Sequence, residues 1–424
     1  MIQETRLAAA SLCIYRGILN DPVVSNYIKM LDSLMDDSIS GLNAVNCYYE
    51  FLYSLAETGL SFKDYLLDFI SHDSNPFSRK AELQEFDRLD PVLVEATQRD
   101  LVKLQQIYEF DWGQVAARLA DAGVSDFTGP GENSLHELMP GWAGQVLGRS
   151  SDWSKEIARL ADYYHNQGTG LVSRYRALRW DRKTERIIGI EYPDPVRLSD
   201  LVGYKSQKEQ LCRNTEQLLQ GCPANNVLLY GSRGTGKSTM VKALLNEYGD
   251  QGLRLVEIAC EDLGNLPEII SFLRQHTLKY IIFIDDLSFE DYETRYKGLK
   301  AVMEGSVESR PANVLLYATS NRRHLIREFH SERSGVDDEI HTNDTVQEKL
   351  SLADRFGLTI TFPSPTQQVY LEIVETIAAQ RELTIDPELL RRKALQWERA
   401  HHGPSGRTAR QFVDSLGDNR RPAL

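Results

Sequence analysis

No stretch of the 424 residues approaches the ~18–20 unbroken apolar residues that a bilayer span requires. The run from Met1 to Asn20 carries Glu4, Arg6 and Arg16 where a secretory signal would need an apolar centre, so the cytoplasm is the expected compartment. Cysteine is scarce. Cys13, Cys47, Cys212, Cys222 and Cys260 are an odd number, widely scattered and without a C-x-x-C pair, which excludes a disulfide framework and a cysteine-rich zinc site and predicts reduced, mostly buried thiols. Positive charge is short in the front of the chain: residues 1–170 hold 13 Lys+Arg against 25 Asp+Glu, net −12, whereas the remainder holds 35 against 36, net −1. Such an acidic segment repels phosphate backbones and is disfavoured as a general nucleic-acid binder, although the second half leaves room for a local basic patch.

What is present is ordinary globular composition, with 42% hydrophobic and 26% charged residues, too long for one hydrophobic core and suited to two or three. Up to about Gln167 the apolar residues recur at three- and four-residue spacing, as in Val23, Tyr27, Met30, Leu31 and Leu34, and turn clusters such as Asn20-Asp21-Pro22 and Asn75-Pro76 divide them into seven or eight helices. The first domain, 1–170, is thus expected to be all-helical, its Tyr and Phe residues serving as core. Two alternating runs, Leu171–Trp180 and Arg186–Tyr192, predict a β-hairpin linker over 171–195 that ends at Pro193 and Pro195.

From 196 to 363 short apolar strands alternate with amphipathic helices: Val227–Tyr230, Leu253–Ala259, Tyr280–Ile284, Val314–Ala318 and Leu358–Phe362. That alternation predicts an α/β domain with a parallel sheet covered by helices on both faces. Over 364–424 only helical signals remain, opened by Ser364-Pro365, Asp386-Pro387 and Ser405, and a small appended bundle is expected.

The sharpest local pattern is Gly231-Ser232-Arg233-Gly234-Thr235-Gly236-Lys237-Ser238, followed by Thr239, directly after the strand Val227–Tyr230 and before a helical run. It has the G-x-x-x-x-G-K-[ST] spacing of a phosphate-binding P-loop in the required strand–turn–helix context. Glycines let backbone N–H groups converge on phosphate, and the helix N-terminus adds its dipole. Lys237 would reach the β- and γ-phosphates of ATP, and Ser238 would offer its hydroxyl to Mg²⁺. Such a site needs an acidic residue at the end of a neighbouring apolar strand, which Ile281-Ile282-Phe283-Ile284-Asp285-Asp286 supplies. Asp285 is assigned to the Mg²⁺ shell and Asp286 to polarising the attacking water, a role often filled by Glu. Aspartate is one methylene shorter, so action through a water, slow hydrolysis, or service by Glu290 all remain open.

In the order of these features the chain resembles the AAA+ ATPases over roughly Val196 to Leu416. Arg197-Leu198-Ser199-Asp200-Leu201-Val202-Gly203-Tyr204 is similar to the adenine-contacting segment of that family, which would bring Val202 and Gly203 to the nucleotide. Ala318-Thr319-Ser320-Asn321-Arg322 resembles sensor 1, with Asn321 orienting the lytic water. Leu352-Ala353-Asp354-Arg355-Phe356-Gly357 resembles the arginine-finger box, which would aim Arg355 at the γ-phosphate of a neighbouring subunit in a homo-oligomer. Ser405-Gly406-Arg407-Thr408-Ala409-Arg410 resembles the sensor 2 helix, with Arg407 or, one turn later, Arg410 reaching the nucleotide from the lid. The runs Asp285–Glu290 and Tyr317–Leu325 more narrowly resemble the bacterial AAA+ group catalogued as domain of unknown function 815.

The loop Ala259-Cys260-Glu261-Asp262-Leu263-Gly264-Asn265 departs from the resemblance. Ring unfoldases place an aromatic residue here to grip a threaded polypeptide, whereas this chain has Leu263-Gly264 flanked by acids. The resemblance therefore implies ATP-driven rearrangement of a protein client, captured through the helical first domain, more than threading. Two alternatives stand beside it: a slowly hydrolysing, nucleotide-gated binding module, and a loader of nucleic-acid complexes, which the acidic front disfavours.

Overall fold

The computed structural model describes residues 2–35, 41–124, 127, 129–130, 142–287, 299, 303, 311–321, 355–401 and 403–417. Two compact units divide the chain, Met1–Arg174 and Tyr175–Leu424.

The first unit is helical throughout its described residues: α1 (Ile2–Ala10), α2 (Pro22–Met35), α3 (Gly41–Ala56), α4 (Phe62–His72), α5 (Pro76–Leu83), α6 (Pro91–Tyr108), α7 (Gly113–Asp121), α8 (Trp142–Val146), α9 (Ile157–Gln167) and α10 (Leu171–Arg174). Turn residues start several of them. Asn75 forms a capping box with Ser78 ahead of Pro76, and Asp90 accepts the Val92 N–H ahead of Pro91. The apolar stripe of α2 is buried, and the ring of Tyr27 packs against Phe51, Phe62 and Phe110 at 5.7, 4.6 and 5.7 Å. One carboxylate oxygen of the buried Asp100 accepts the amides of Cys13, Ile14 and Tyr15 at 2.8, 2.6 and 3.1 Å, tying the end of α1 to α6. Most of the unit's large aromatics are core, but Tyr49 and Tyr53 on α3 are exposed.

The second unit holds a seven-stranded sheet of β1 (Ala177–Asp181), β2 (Arg186–Ile190), β3 (Val227–Gly231), β4 (Leu253–Ile258), β5 (Lys279–Ile284), β6 (Val314–Ser320) and β7 (Leu358–Phe362). Their order is β2-β1-β4-β5-β6-β3-β7, parallel except for β2. Alternate residues face opposite sides of a strand. One side, with Val227, Leu229, Leu255, Phe283, Tyr317 and Ile360, forms a core with α11 (Lys205–Leu219) and α12 (Lys237–Tyr248). The alternate residues Leu228, Val256, Ile282 and Leu316 are buried as well, as nearly continuous apolar strands require. α13 (Leu266–Leu273) connects β4 to β5. The lid comprises α14 (Gln367–Gln380), α15 (Pro387–Ala400) and α16 (Gly406–Gly417) around Tyr370, Val374, Phe412 and Val413.

Three expectations are corrected. The hairpin is no free-standing linker: β1 pairs in parallel with β4, so the hairpin is the edge of the sheet, and Leu171–Arg174 is a helical turn. Periodicity within a hairpin carries no information about a third strand 78 residues further along the chain. α14 is capped by Thr366, whose hydroxyl accepts the Val369 N–H, two residues beyond the expected Ser364. The five cysteines carry thiols and not disulfides, yet Cys13 and Cys222 are exposed and the others half-buried, where burial was expected. Among the described residues no helix is long and apolar enough to cross a membrane.

Candidate functional site

β3 delivers Gly231 to the rim of the sheet, where the backbone must bend without a side chain. Gly231 has φ +143°, and a Cβ there would lie 2.0 Å from the carbonyl oxygen of Phe362 on β7. Gly234 and Gly236 follow at φ +75° and +90°, conformations that favour glycine, and α12 begins at Lys237. Thr235 is buried and donates its hydroxyl to the Ser232 carbonyl at 2.9 Å, bracing the turn from within.

Lys237 is 4% exposed, and its ammonium donates to the carbonyls of Gly231 and Ser232 and to Oδ1 of Asn321 at 3.0, 2.9 and 3.0 Å. Burial pulls its pKa down to about 8, with Arg233 and Arg407 adding to the fall and Asp285 and Asp286 opposing it. Four elements thus converge on one ammonium: the turn, the ends of β5 and β6, and the lid.

The acids leave β5 in different directions. Oδ1 of Asp285 accepts from Ser238 Oγ and from Thr319 Oγ1, each at 2.6 Å. Asp286 has φ +54°, and its Oδ1 accepts from Asn321 Nδ2 at 2.5 Å. The structure therefore brings Lys237, Ser238, Asp285, Asp286 and Asn321 to one rim, joined by hydrogen bonds. Thr319, two residues before Asn321 and 2% exposed, was not singled out by the sequence, because a threonine inside a strand is an ordinary strand former.

The lid reaches the turn through the start of α16. Ser405 caps that helix by accepting the Thr408 N–H at 3.0 Å, and the Arg407 N–H lies 3.3 Å from the Gly234 carbonyl. Arg410 is exposed one turn on. Ser364 adds a 2.8 Å hydroxyl contact to Ser232. Val202 packs on the lid core, and a Cβ on Gly203, at φ +77°, would lie 3.1 Å from Val369, so this segment runs between sheet and lid. Arg355 lies elsewhere. The register Val227↔Leu358 and Gly231↔Phe362 puts it beyond the start of β7, at the opposite rim from the chain's own turn. Glu290 and Arg322 lie outside the described residues.

The loop after β4 is a closed 3-10 turn, Cys260–Asn265, rather than an open arm. Leu263 is buried, and the hairpin's Arg182 donates to the buried Asp262 at 2.8 Å and lies 3.5 Å from Glu261.

These groups suit a nucleotide with a hard divalent cation. Among the described residues no cluster of His, Cys, Asp or Glu could hold a metal alone. The Ser238 hydroxyl beside the Asp285 carboxylate instead matches Mg²⁺, which takes few protein oxygens and keeps water and phosphate for the rest. Positive-φ glycines below a helix N-terminus, with a buried ammonium, fit the phosphates.

The family described as "Protein of unknown function (DUF815)" matches residues 173–420. A protein of Methanocaldococcus jannaschii described as a 26S proteasome regulatory subunit homolog is 24% identical over 267 residues, 58% of this chain and 67% of that one. The replication factor C large subunit of Methanococcus vannielii is 25% identical over 179 residues, 40% of this chain and 36% of its own length. The Thermotoga maritima RuvB Holliday junction branch migration motor aligns at 16% identity and a TM-score of 0.38, covering 52% of this chain and 64% of that chain. With over half its length matched, the chain belongs to the DUF815 family, and it has the α/β P-loop fold of the AAA+ type.

Proposed function

We propose that the chain binds ATP with Mg²⁺ at Gly231–Thr239, hydrolyses it to ADP and phosphate, and uses the cycle to rearrange a protein partner in the cytoplasm. The observation carrying this reading is the hydrogen-bonded set Lys237–Asn321–Asp286 beside Ser238–Asp285 at the mouth of the turn. Bound Mg²⁺ would supply charge withdrawal from the phosphoanhydride oxygens. Lys237 has three N–H donors and three partners here, so phosphate oxygens can replace carbonyls without leaving the ammonium bare. Ser238 and Asp285 would hold the cation, Asp286 would accept the proton of the attacking water, and Asn321 would orient that water. Val202 and Gly203 would border the adenine, and Arg407 would carry phosphate loss into the lid.

The position of Arg355 supports a homo-oligomer. It is separated from its own turn by the length of β7, about 13 Å of strand, so a catalytic role for its guanidinium would be at a neighbour's site. The helical first unit would receive the client. A nucleotide-gated switch with slow turnover is the second reading, favoured by the tight engagement of Asp286 by Asn321.

Nucleotide titration and phosphate release on the full chain test the reading. Lys237→Ala is expected to abolish binding, and unchanged affinity would remove the phosphate assignment. Turnover that rises with cell extract favours the motor; partner capture in ATP with negligible turnover favours the switch.

A further inference from the structure

We propose that Thr319 is a positioning residue that divides the adjacent acids Asp285 and Asp286 between two tasks. The inference rests on the nucleotide reading above and concerns a residue to which that reading gives no role. A threonine hydroxyl has one donor and two lone pairs. Thr319 uses both kinds at once: it donates to Asp285 Oδ1 at 2.6 Å and accepts the backbone N–H of Asp286 at 2.9 Å. Its own carbonyl accepts the Leu287 N–H at 2.7 Å. The chain leaving β5 is therefore held at three successive residues by one residue of β6.

Each bond has a directional consequence. Asp285 Oδ1 also accepts from Ser238, so two hydroxyls fix the carboxylate plane and turn it toward the start of α12, where a cation would be shared with phosphate. The bond to the Asp286 N–H coincides with the left-handed backbone there, φ +54°, a conformation that residues other than glycine adopt rarely. Continued as plain strand, residues 285 and 286 would simply alternate sides. With the left-handed turn, Asp286 instead points at Asn321, which binds its Oδ1. Thr319 is buried, and its hydroxyl bonds the Asp285 carboxylate and the Asp286 amide together, whereas the Cys260 thiol meets the same two residues only at their carbonyls, at 3.6 and 3.7 Å, so the threonine hydroxyl is the link between the strand β6 and the acid pair.

The discriminating substitutions are Thr319→Val, which keeps shape and the carbonyl bond but removes the hydroxyl, and Thr319→Ser, which keeps the hydroxyl. Two quantities are read on the full chain: the Mg²⁺ concentration for half-maximal binding of a fluorescent ATP analogue, and the rate of phosphate release at saturating ATP. Loss of a hydrogen bond to a charged group predicts that Thr319→Val raises the Mg²⁺ midpoint about ten-fold and slows release by at least as much, while Thr319→Ser stays within about three-fold of the parent. A parent-like Mg²⁺ midpoint in Thr319→Val, or equal impairment in both variants, overturns the proposal. A parent chain that binds the analogue but never releases phosphate would overturn the hydrolysis reading alone, because the Mg²⁺ midpoints still decide the role of Thr319.

Discussion

Asn321 Nδ2 donates to Asp286 Oδ1 at 2.5 Å while its Oδ1 accepts from Lys237 Nζ at 3.0 Å. One amide thus spans Lys237, proposed to bind phosphate, and Asp286, proposed to polarise water, using its donor toward the acid and its acceptor toward the cation. Any ligand that draws Lys237 away from Asn321 alters the hold on Asp286, which couples occupancy of the turn to the acid's freedom.

Asp286→Asn follows directly. An amide in place of the carboxylate cannot take a proton from water, yet it still faces Asn321 and leaves Lys237, Ser238 and Asp285 in place. Single-turnover hydrolysis is expected to fall by about 10²-fold or more, with ATP affinity within about three-fold. Normal single-turnover rates would transfer the role to another group, with Glu290 first in line. The same variant, loaded with ATP, is the one to use for partner capture.

Lys237 gives the site a pH dependence. Its pKa in the nucleotide-free chain lies at about 8, below the 10.5 of a solvated lysine, because burial disfavours the ammonium. Between those values the unfolded chain holds more protons than the folded one, so this group makes the free protein more stable as pH rises. Binding runs the other way, since phosphate needs the charged form. Affinity for ATP is expected to fall about ten-fold per pH unit above about pH 8, with proton uptake on binding, measurable by calorimetry in two buffers of different ionisation heat. Flat affinity from about pH 7 to about pH 9.5 without proton uptake would contradict the assignment.

Much of this site could be read from the sequence, for a physical reason. A turn that would cradle phosphate must be contiguous in the backbone, so Gly231 to Ser238 show it as a local string, and Asp285 follows an unbroken apolar strand. Thr319 and Arg182 belong to the opposite case. Their partners are 34 and 80 residues away, and each looks ordinary locally, one as a strand former and the other as a turn cation. The hairpin was legible as two strands but not as the sheet's edge, since only its pairing with β4 distinguishes them.

Arg355 predicts complementation between defective chains. Alone, Arg355→Ala should lose about 10³-fold or more in turnover while binding ATP normally, and Lys237→Ala should lose both. Mixed, they can form a composite site from the intact turn of one chain and the intact Arg355 of its neighbour, so activity should return in the mixture. Sedimentation with ATP should show the assembly. A monomer under every nucleotide condition, with undiminished turnover in Arg355→Ala, would remove the oligomer.

The clamp between Arg182 and Asp262 predicts a stability effect outside the nucleotide site. Asp262 is 7% exposed, and Arg182 Nε reaches it at 2.8 Å across 80 residues of sequence. Arg182 itself is largely solvated, so the loss on its removal is that of a half-screened pair, not of two buried ions. Arg182→Met is expected to lower the urea midpoint of the second unit measurably, because it leaves the buried Asp262 carboxylate without its cation. Asp262→Asn added to it should cost little more, because the carboxylate that lacked a partner is gone. The pair also holds the Cys260–Asn265 turn shut, so Arg182→Met should increase proteolytic cutting there. Fully additive losses in the double variant, with the turn as resistant as before, would mean that the hairpin merely lies beside this turn and does not fasten it.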